Sequence, residues 1–153
     1  MNTNFFADIH PYVVHFPIAL LITYSFLEIA GIIFNKEFIS KSALLILCFG
    51  VVSALAAVFT GNLASEQFSN WTEESKALMT EHQSFATYLL WYVFLLSGFR
   101  IILITKKKFI GVAKYTFILL ALIVIFLVYE TGIRGGNLVM KFGVGTELIN
   151  SSK

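Results

Sequence analysis

The 153-residue chain has few charged residues and only one cysteine. Only 13% of its residues are charged, about half the roughly 25% of soluble domains. Its one cysteine, Cys48, excludes an intrachain disulfide and a thiolate cluster for zinc or iron–sulfur binding. The net charge of +2 is too small and too scattered to suggest a nucleic-acid partner. With 58% hydrophobic residues, the composition excludes a soluble domain and a disordered segment, and it indicates a membrane protein whose partner is the lipid bilayer.

Four long apolar runs, each near the ~20 residues that a helix needs to cross a bilayer, account for most of the chain. They cover residues 13–34, 43–63, 85–105 and 109–129. The runs are too long and too continuous for the alternating strands of a membrane barrel. The sequence therefore predicts one all-α integral membrane domain over residues 1–153, an up-and-down bundle of four transmembrane helices with a glycine-rich C-terminal loop.

Basic residues set the expected orientation. The joint after the first run carries Lys36 and Lys41, and the joint after the third carries residues 106–108, which are all lysine. Short loops rich in Lys and Arg stay in the cytoplasm. Both termini and the connection over residues 64–81 are therefore expected on the outer side.

The third span is expected to begin outside the bilayer. Thr72 has the side chain of an N-cap, and Glu73 and Glu74 follow in the first turn, where the helix dipole favours acids. One helix from Glu73 to Thr105, or two bent segments over the same range, is predicted, with the first two turns projecting from the outer surface.

All three histidines fall on the expected outer side. His10 and His15 flank the start of the first span, and His82 lies near the start of the third. Parallel helices would bring His15 and His82 to similar depth, as in a b-type haem site of a helical bundle. Because the histidines form a single layer, one haem b at most is expected. His15 and His82 are its predicted axial ligands, with His10 as a supporting group or alternative ligand.

Two other interpretations of this layer stay open. A metal ion could bind to His15 and His82, together with His10 and with Glu66 or Glu130. Alternatively, the histidines anchor the helices at the lipid headgroups without any ligand. His10 and His15 are five residues apart and point to different faces of a regular helix, so a shared ligand requires an irregular chain between them.

Two prolines shape the start of the first span. Pro11 suits a first helical turn, where its missing N–H costs little. Pro17 either kinks the helix from within or starts it, with residues 10–16 then lying along the membrane interface.

Glu28 and Arg100 are charged residues inside the first and third runs. Each lies fifteen residues beyond the start of its run, so both reach similar depth in parallel helices that rise ~1.5 Å per residue. A charge at that depth needs a partner. A structural ion pair between Glu28 and Arg100 is predicted; the alternative is that each side chain reaches the inner headgroups independently.

Five glycines between residues 132 and 145 are expected to end the fourth helix and to form a loop over the outer end of the bundle. Their spacing is not a nucleotide-binding fingerprint. In this loop Arg134 is a candidate cofactor-binding residue, because a guanidinium binds anions such as a haem propionate or a lipid phosphate. The alternative is a pair with Glu130, four residues earlier.

Three segments together resemble a known family. They are His10-Pro11 with residues 14–19 (VHFPIA), His82 at the third span, and residues 135–139 (GGNLV) with residues 142–145 (FGVG). Over nearly its whole length the chain is similar to the bacterial membrane family catalogued as domain of unknown function 2231. The resemblance implies a four-helix protein of the bacterial inner membrane, with the outer side periplasmic. Some relatives are joined to c-type cytochrome modules, which favours electron transfer.

The sequence thus favours a small membrane electron-transfer or redox-accessory protein with one haem b. It has no C-x-x-C-H motif, so the haem would be non-covalent. Its electron partner would be a periplasmic cytochrome or a quinol. Two other functions stay open: a cofactor-free structural subunit of a larger complex, and a metal-binding membrane protein. The partners would be other subunits of such a complex or further copies of the same chain in a homo-oligomer. An enzyme acting on its own is not favoured, because no nucleophile, base and orienting group occur together.

Overall fold

The computed structural model describes residues 3–146, and every regular element in that range is an α-helix. Two short helices, α1 (Thr3–Asp8) and α2 (His10–Val13), precede four long ones, α3 (His15–Ile33), α4 (Glu37–Gln67), α5 (Glu73–Thr105) and α6 (Gly111–Phe142). With α2 joined to α3, the four spans of the described range are long and apolar enough to cross a membrane. The predicted bundle of four transmembrane helices is confirmed.

The four long helices form a ring. Short joints at residues 34–36, 68–72 and 106–110 make consecutive helices antiparallel. Both α3 and α5 pack against α4 and α6, so α3 and α5 lie diagonally across the bundle. We call the end with His10 and His82 the histidine end. The opposite end, with Glu28 and Arg100, is the ion-pair end.

The bundle has a narrow core and an apolar outer surface. Leu21, Leu47, Val93 and Val124 are fully buried along the axis. Large hydrophobic side chains cover the outside in numbers that a soluble protein does not expose. They include Phe49, Leu55, Phe94, Leu119 and Phe126. This surface suits contact with lipid chains.

The start of α5 follows the sequence prediction. Thr72 caps the helix: its Oγ1 accepts from the Ser75 N–H at 3.2 Å, and the Thr72 N–H donates to Ser75 Oγ at 2.9 Å. This reciprocal arrangement is a capping box, which satisfies two backbone donors at the helix start. The predicted helix from Glu73 to Thr105 is confirmed.

The start of the first span follows the alternative in which Pro17 lies within the helix. Val14, between α2 and α3, has helical backbone angles (φ −62°, ψ −24°), and the bonds from Val14 N–H to the His10 carbonyl and from Ile18 N–H to the Val14 carbonyl continue the helical ladder. Pro17 has no N–H to donate to the Val13 carbonyl, so the ladder is interrupted at that one position. Pro11 lies in the first turn of α2, which packs on α4.

The glycine-rich segment is helical over most of its length, contrary to the predicted loop. α6 runs through Gly132, Gly135 and Gly136 and ends at Phe142, and Gly143 follows with a left-handed backbone (φ 63°). Each helical glycine costs about 1 kcal/mol relative to alanine. Packing of this part of α6 against α5, with Leu138 buried, offsets that cost, so the helix continues. In the described range the loop is limited to residues 143–146.

Glu28 and Arg100 form an ion pair across the bundle, as their matched depth predicts. Arg100 Nε donates to Glu28 Oε1 at 3.0 Å, and Nη2 donates to Oε2 at 3.3 Å. Nη2 also donates to Ser40 Oγ on α4 at 2.6 Å. The guanidinium carbon lies 3.2 Å from the ring centroid of Phe109, in a cation–π contact. Glu28 is 0% exposed and Arg100 1%.

Removing one member of this pair should destabilise the bundle. Glu28→Ala leaves the buried guanidinium of Arg100 without its counter-charge, at a cost of about 3–5 kcal/mol. The free energy of unfolding, from denaturant titration in detergent micelles, measures the loss. Lys41→Ala is the control, because it breaks the exposed Glu37–Lys41 pair and should leave stability nearly unchanged. Equal losses in the two variants would contradict this role of the ion pair.

Candidate functional site

His10 lies half-buried between α2 and α4. Its Nδ1 is 3.0 Å from Thr60 Oγ1. Thr60 Oγ1 also lies 3.0 Å from the Ala56 carbonyl oxygen, so in the tautomer with a proton on Nδ1, His10 donates to Thr60 and the Thr60 hydroxyl donates to Ala56. In that tautomer the neutral imidazole carries its lone pair on Nε2, a nitrogen that can bind iron or a metal ion.

His82 on α5 has the same arrangement against α6. Its Nδ1 lies 3.1 Å from the carbonyl oxygen of Thr131. A carbonyl oxygen only accepts, so Nδ1 carries the proton and Nε2 the lone pair. A hydrogen bond from the second nitrogen to a carbonyl is typical of ligating histidines, because it fixes the tautomer and the ring orientation.

Each imidazole lies against a glycine of the neighbouring helix. A Cβ atom on Gly61 would lie 2.8 Å from His10 Cε1, and one on Gly135 would lie 3.0 Å from His82 Cε1. Real Cβ atoms essentially never approach as closely as the first of these distances. Glycine at these two positions therefore allows the rings to rest on the helix backbones.

His10 and His82 belong to the two diagonal spans and lie at the same end of the bundle. Eighteen residues separate His10 from Glu28, and eighteen separate His82 from Arg100. At ~1.5 Å per residue, both histidines lie about 27 Å along the bundle from the ion pair. The two imidazoles are close enough to interact electrostatically. The geometry thus gives two half-buried imidazoles at one end of the bundle, each packed against a neighbouring helix.

His15 is not brought to His82, in contrast to the pairing that the sequence predicts. His15 is exposed near the start of α3, and His10 occupies the position expected for it. Five residues along a helix correspond to a rotation of about 140°, so turning His10 inward turns His15 outward. The predicted ligand pair of His15 and His82 is replaced by His10 and His82 as the geometric candidate.

Arg134 lies beside His82, but its guanidinium already has acidic partners. Nε donates to Glu81 Oε2 at 3.2 Å, and Nη1 donates to the Glu130 carbonyl at 3.0 Å and to the Glu130 carboxylate. The guanidinium carbon also lies 4.0 Å from the ring centroid of Phe85. An anion such as a haem propionate would compete with two carboxylates for this side chain.

The other proposed metal ligands do not gather around the histidines. Glu66 is exposed on α4, and Glu130 is paired with Arg134. Within residues 3–146, no group of three His, Cys, Asp or Glu side chains could hold a metal ion. His10 and His82 therefore supply two possible nitrogen ligands, with no third protein ligand beside them in the described range.

The contacts that Gly61, Thr131 and Gly135 make with the histidines were not predicted from the sequence, although Gly135 belongs to a segment that carries the family resemblance. The sequence marks these residues only weakly, because many membrane helices carry a threonine next to a glycine or one turn away from it. Their contacts with the histidines become visible only when the packing of the helices is known.

Alanine at Gly61 and at Gly136 should have opposite effects. Gly136 has no atom within 4 Å of an added Cβ, so Gly136→Ala should stabilise α6 by about 1 kcal/mol through helix propensity. Gly61→Ala should not show this gain, because the new methyl group displaces the His10 ring and weakens its bond to Thr60. Thermal unfolding in detergent compares the two variants. A gain at Gly61 equal to that at Gly136 would contradict the close packing of His10.

Comparison with known proteins supports the membrane assignment. The family described as predicted membrane protein (DUF2231) matches residues 7–148. The match includes the four long helices, both histidines and the ion pair. No curated protein and no solved structure matches the chain. Because the match covers most of its length, the chain belongs to the DUF2231 family of membrane proteins.

Proposed function

We propose that this chain is a small membrane electron-transfer protein that binds one b-type haem through His10 and His82. The observation that carries the proposal is the presence of two half-buried imidazoles at the histidine end. Each has its Nδ1 within hydrogen-bond distance of an oxygen on a neighbouring helix, so each can hold a proton on Nδ1 and offer Nε2 as a ligand. Each also rests on a glycine.

Two histidines suit a haem better than a bare metal ion. A porphyrin supplies four nitrogen ligands, so the protein needs to add only axial ligands, and histidine is a common one. A protein-bound zinc ion needs three or four protein ligands. In the described range no third ligand joins the pair, which disfavours a metal ion held by side chains alone.

When bound, the haem would supply one-electron redox chemistry near the histidine end. The residues of this chain would hold it and set its surroundings. Thr60 and Thr131 keep the imidazoles in the ligating tautomer, since their oxygens accept the Nδ1 protons. Arg134, with Glu81 and Glu130, forms the charged layer beside His82. A quinol within the bilayer or a periplasmic cytochrome would exchange the electron.

The proposal includes a location in the bacterial inner membrane with both termini periplasmic. The lysines at residues 36 and 106–108 lie in the joints at the ion-pair end, and Lys114 nearby donates to Asn35 Oδ1 at 2.6 Å. Short Lys-rich joints stay in the cytoplasm. The histidine end would then face the periplasm.

A cofactor-free structural subunit is the alternative from another class. It treats the histidines as interfacial anchors, which explains the exposed His15. It does not explain two half-buried imidazoles that lie against glycines at the same end of the interior.

Absorption spectra of histidine variants test the proposal. The full chain is expressed with ample haem, purified in detergent, and measured oxidised and after reduction with dithionite. We expect a sharp Soret band and reduced α and β bands. His10→Ala and His82→Ala should each lose the sharp reduced α and β bands, because each removes one of the two histidine ligands that the proposal requires.

His15→Ala is the matched control and should retain the full spectrum, since His15 is exposed and away from the pair. A folded wild-type protein that stays colourless would overturn the haem proposal and favour the structural subunit. Loss of the spectrum in His15→Ala, with retention in His10→Ala, would restore the pairing predicted from the sequence.

A further inference from the structure

A buried polar cluster near the ion-pair end is not used by the proposed function. Tyr24 Oη and Arg100 Nη1 are buried and have no hydrogen-bond partner among residues 3–146. Tyr24 is 0% exposed and Arg100 1%. An unpaired polar group in an apolar interior is unfavourable, so two such groups together need an explanation.

The two unpaired groups belong to the same part of the interior. Tyr24 and Glu28 are one turn apart on the buried face of α3. Glu28 binds the guanidinium of Arg100. The phenol of Tyr24 lies within range of electrostatic interaction with both members of this pair.

Two serines add acceptors at the same depth. Ser25 and Ser97 each lie three residues before a member of the ion pair, and both are buried. Their hydroxyl protons go to carbonyls of their own helices, at 2.9 Å for Ser25 and 2.8 Å for Ser97. Their oxygen lone pairs can therefore accept a further hydrogen bond.

We propose that the interior between Tyr24 and Arg100 binds ordered water. The charge of the cluster selects a neutral ligand, because Glu28 already neutralises Arg100. An anion would leave a net negative charge in the membrane interior, and a cation would be repelled by Arg100. Water can accept from Arg100 Nη1 and hydrogen-bond with Tyr24, and a buried water typically makes about three such bonds.

X-ray radiolytic footprinting of the full chain in detergent tests for this water. X-rays convert bound water to hydroxyl radicals in place, which oxidise the side chains that touch it. Tyr24 should be oxidised several times faster than Phe117, an aromatic residue that is also 0% exposed. Equal oxidation of Tyr24 and Phe117 would overturn the proposal.

Tyr24→Phe gives an independent test. If water bridges the phenol to Arg100, removing the hydroxyl should lower the thermal midpoint by about 2–4 °C, the shift expected for one lost interaction in a chain of this size. Tyr92→Phe is the matched control, because it removes a hydroxyl with a defined partner: Tyr92 Oη donates to the Leu120 carbonyl at 3.0 Å. A higher midpoint for Tyr24→Phe would mean that the hydroxyl is unpaired, and would overturn the proposal.

Discussion

The guanidinium of Arg100 connects all four spanning helices. From α5 it binds Glu28 on α3 and Ser40 on α4, and its carbon lies 5.3 Å from the ring centroid of Phe117 on α6. In a bilayer the hydrophobic effect does not hold helices together, since lipid chains are as apolar as the helix surfaces. A buried charge that needs its partner therefore fixes the relative depth of the diagonal helices α3 and α5.

The relative depth of α3 and α5 also determines how the two histidines align at the histidine end. Because eighteen residues separate each charged residue from its histidine, aligning Glu28 with Arg100 also aligns His10 with His82. The separation of about 27 Å is close to the thickness of the hydrocarbon layer. The ion pair and the two histidines thus lie about one hydrocarbon thickness apart along the bundle. A shift of α3 against α5 by one turn would separate both pairs together.

Much of this structure could be predicted from the sequence, because membrane helices must be long, apolar and internally hydrogen-bonded. The four spans, the start of α5 at its cap and the Glu28–Arg100 pair followed from such rules. The sequence prediction chose His15 as the partner of His82, although the count of residues favours His10. His10 lies three residues before Val13 and His82 three residues before Phe85, so depth counted from the run starts or from the ion pair aligns His10 with His82. The helix through Gly132 to Gly136 was also missed, since packing of α6 against α5 outweighs the tendency of glycine to end a helix.

The central claim is that the imidazoles of His10 and His82 bind one haem between diagonal helices. Low-temperature electron paramagnetic resonance of the oxidised, haem-loaded full chain tests it most directly, because the iron spin state reports its axial ligands. The account predicts a low-spin ferric signal in the wild type and a high-spin signal in His10→Ala and in His82→Ala. A high-spin wild-type signal, or a low-spin signal that survives in both variants, would contradict it.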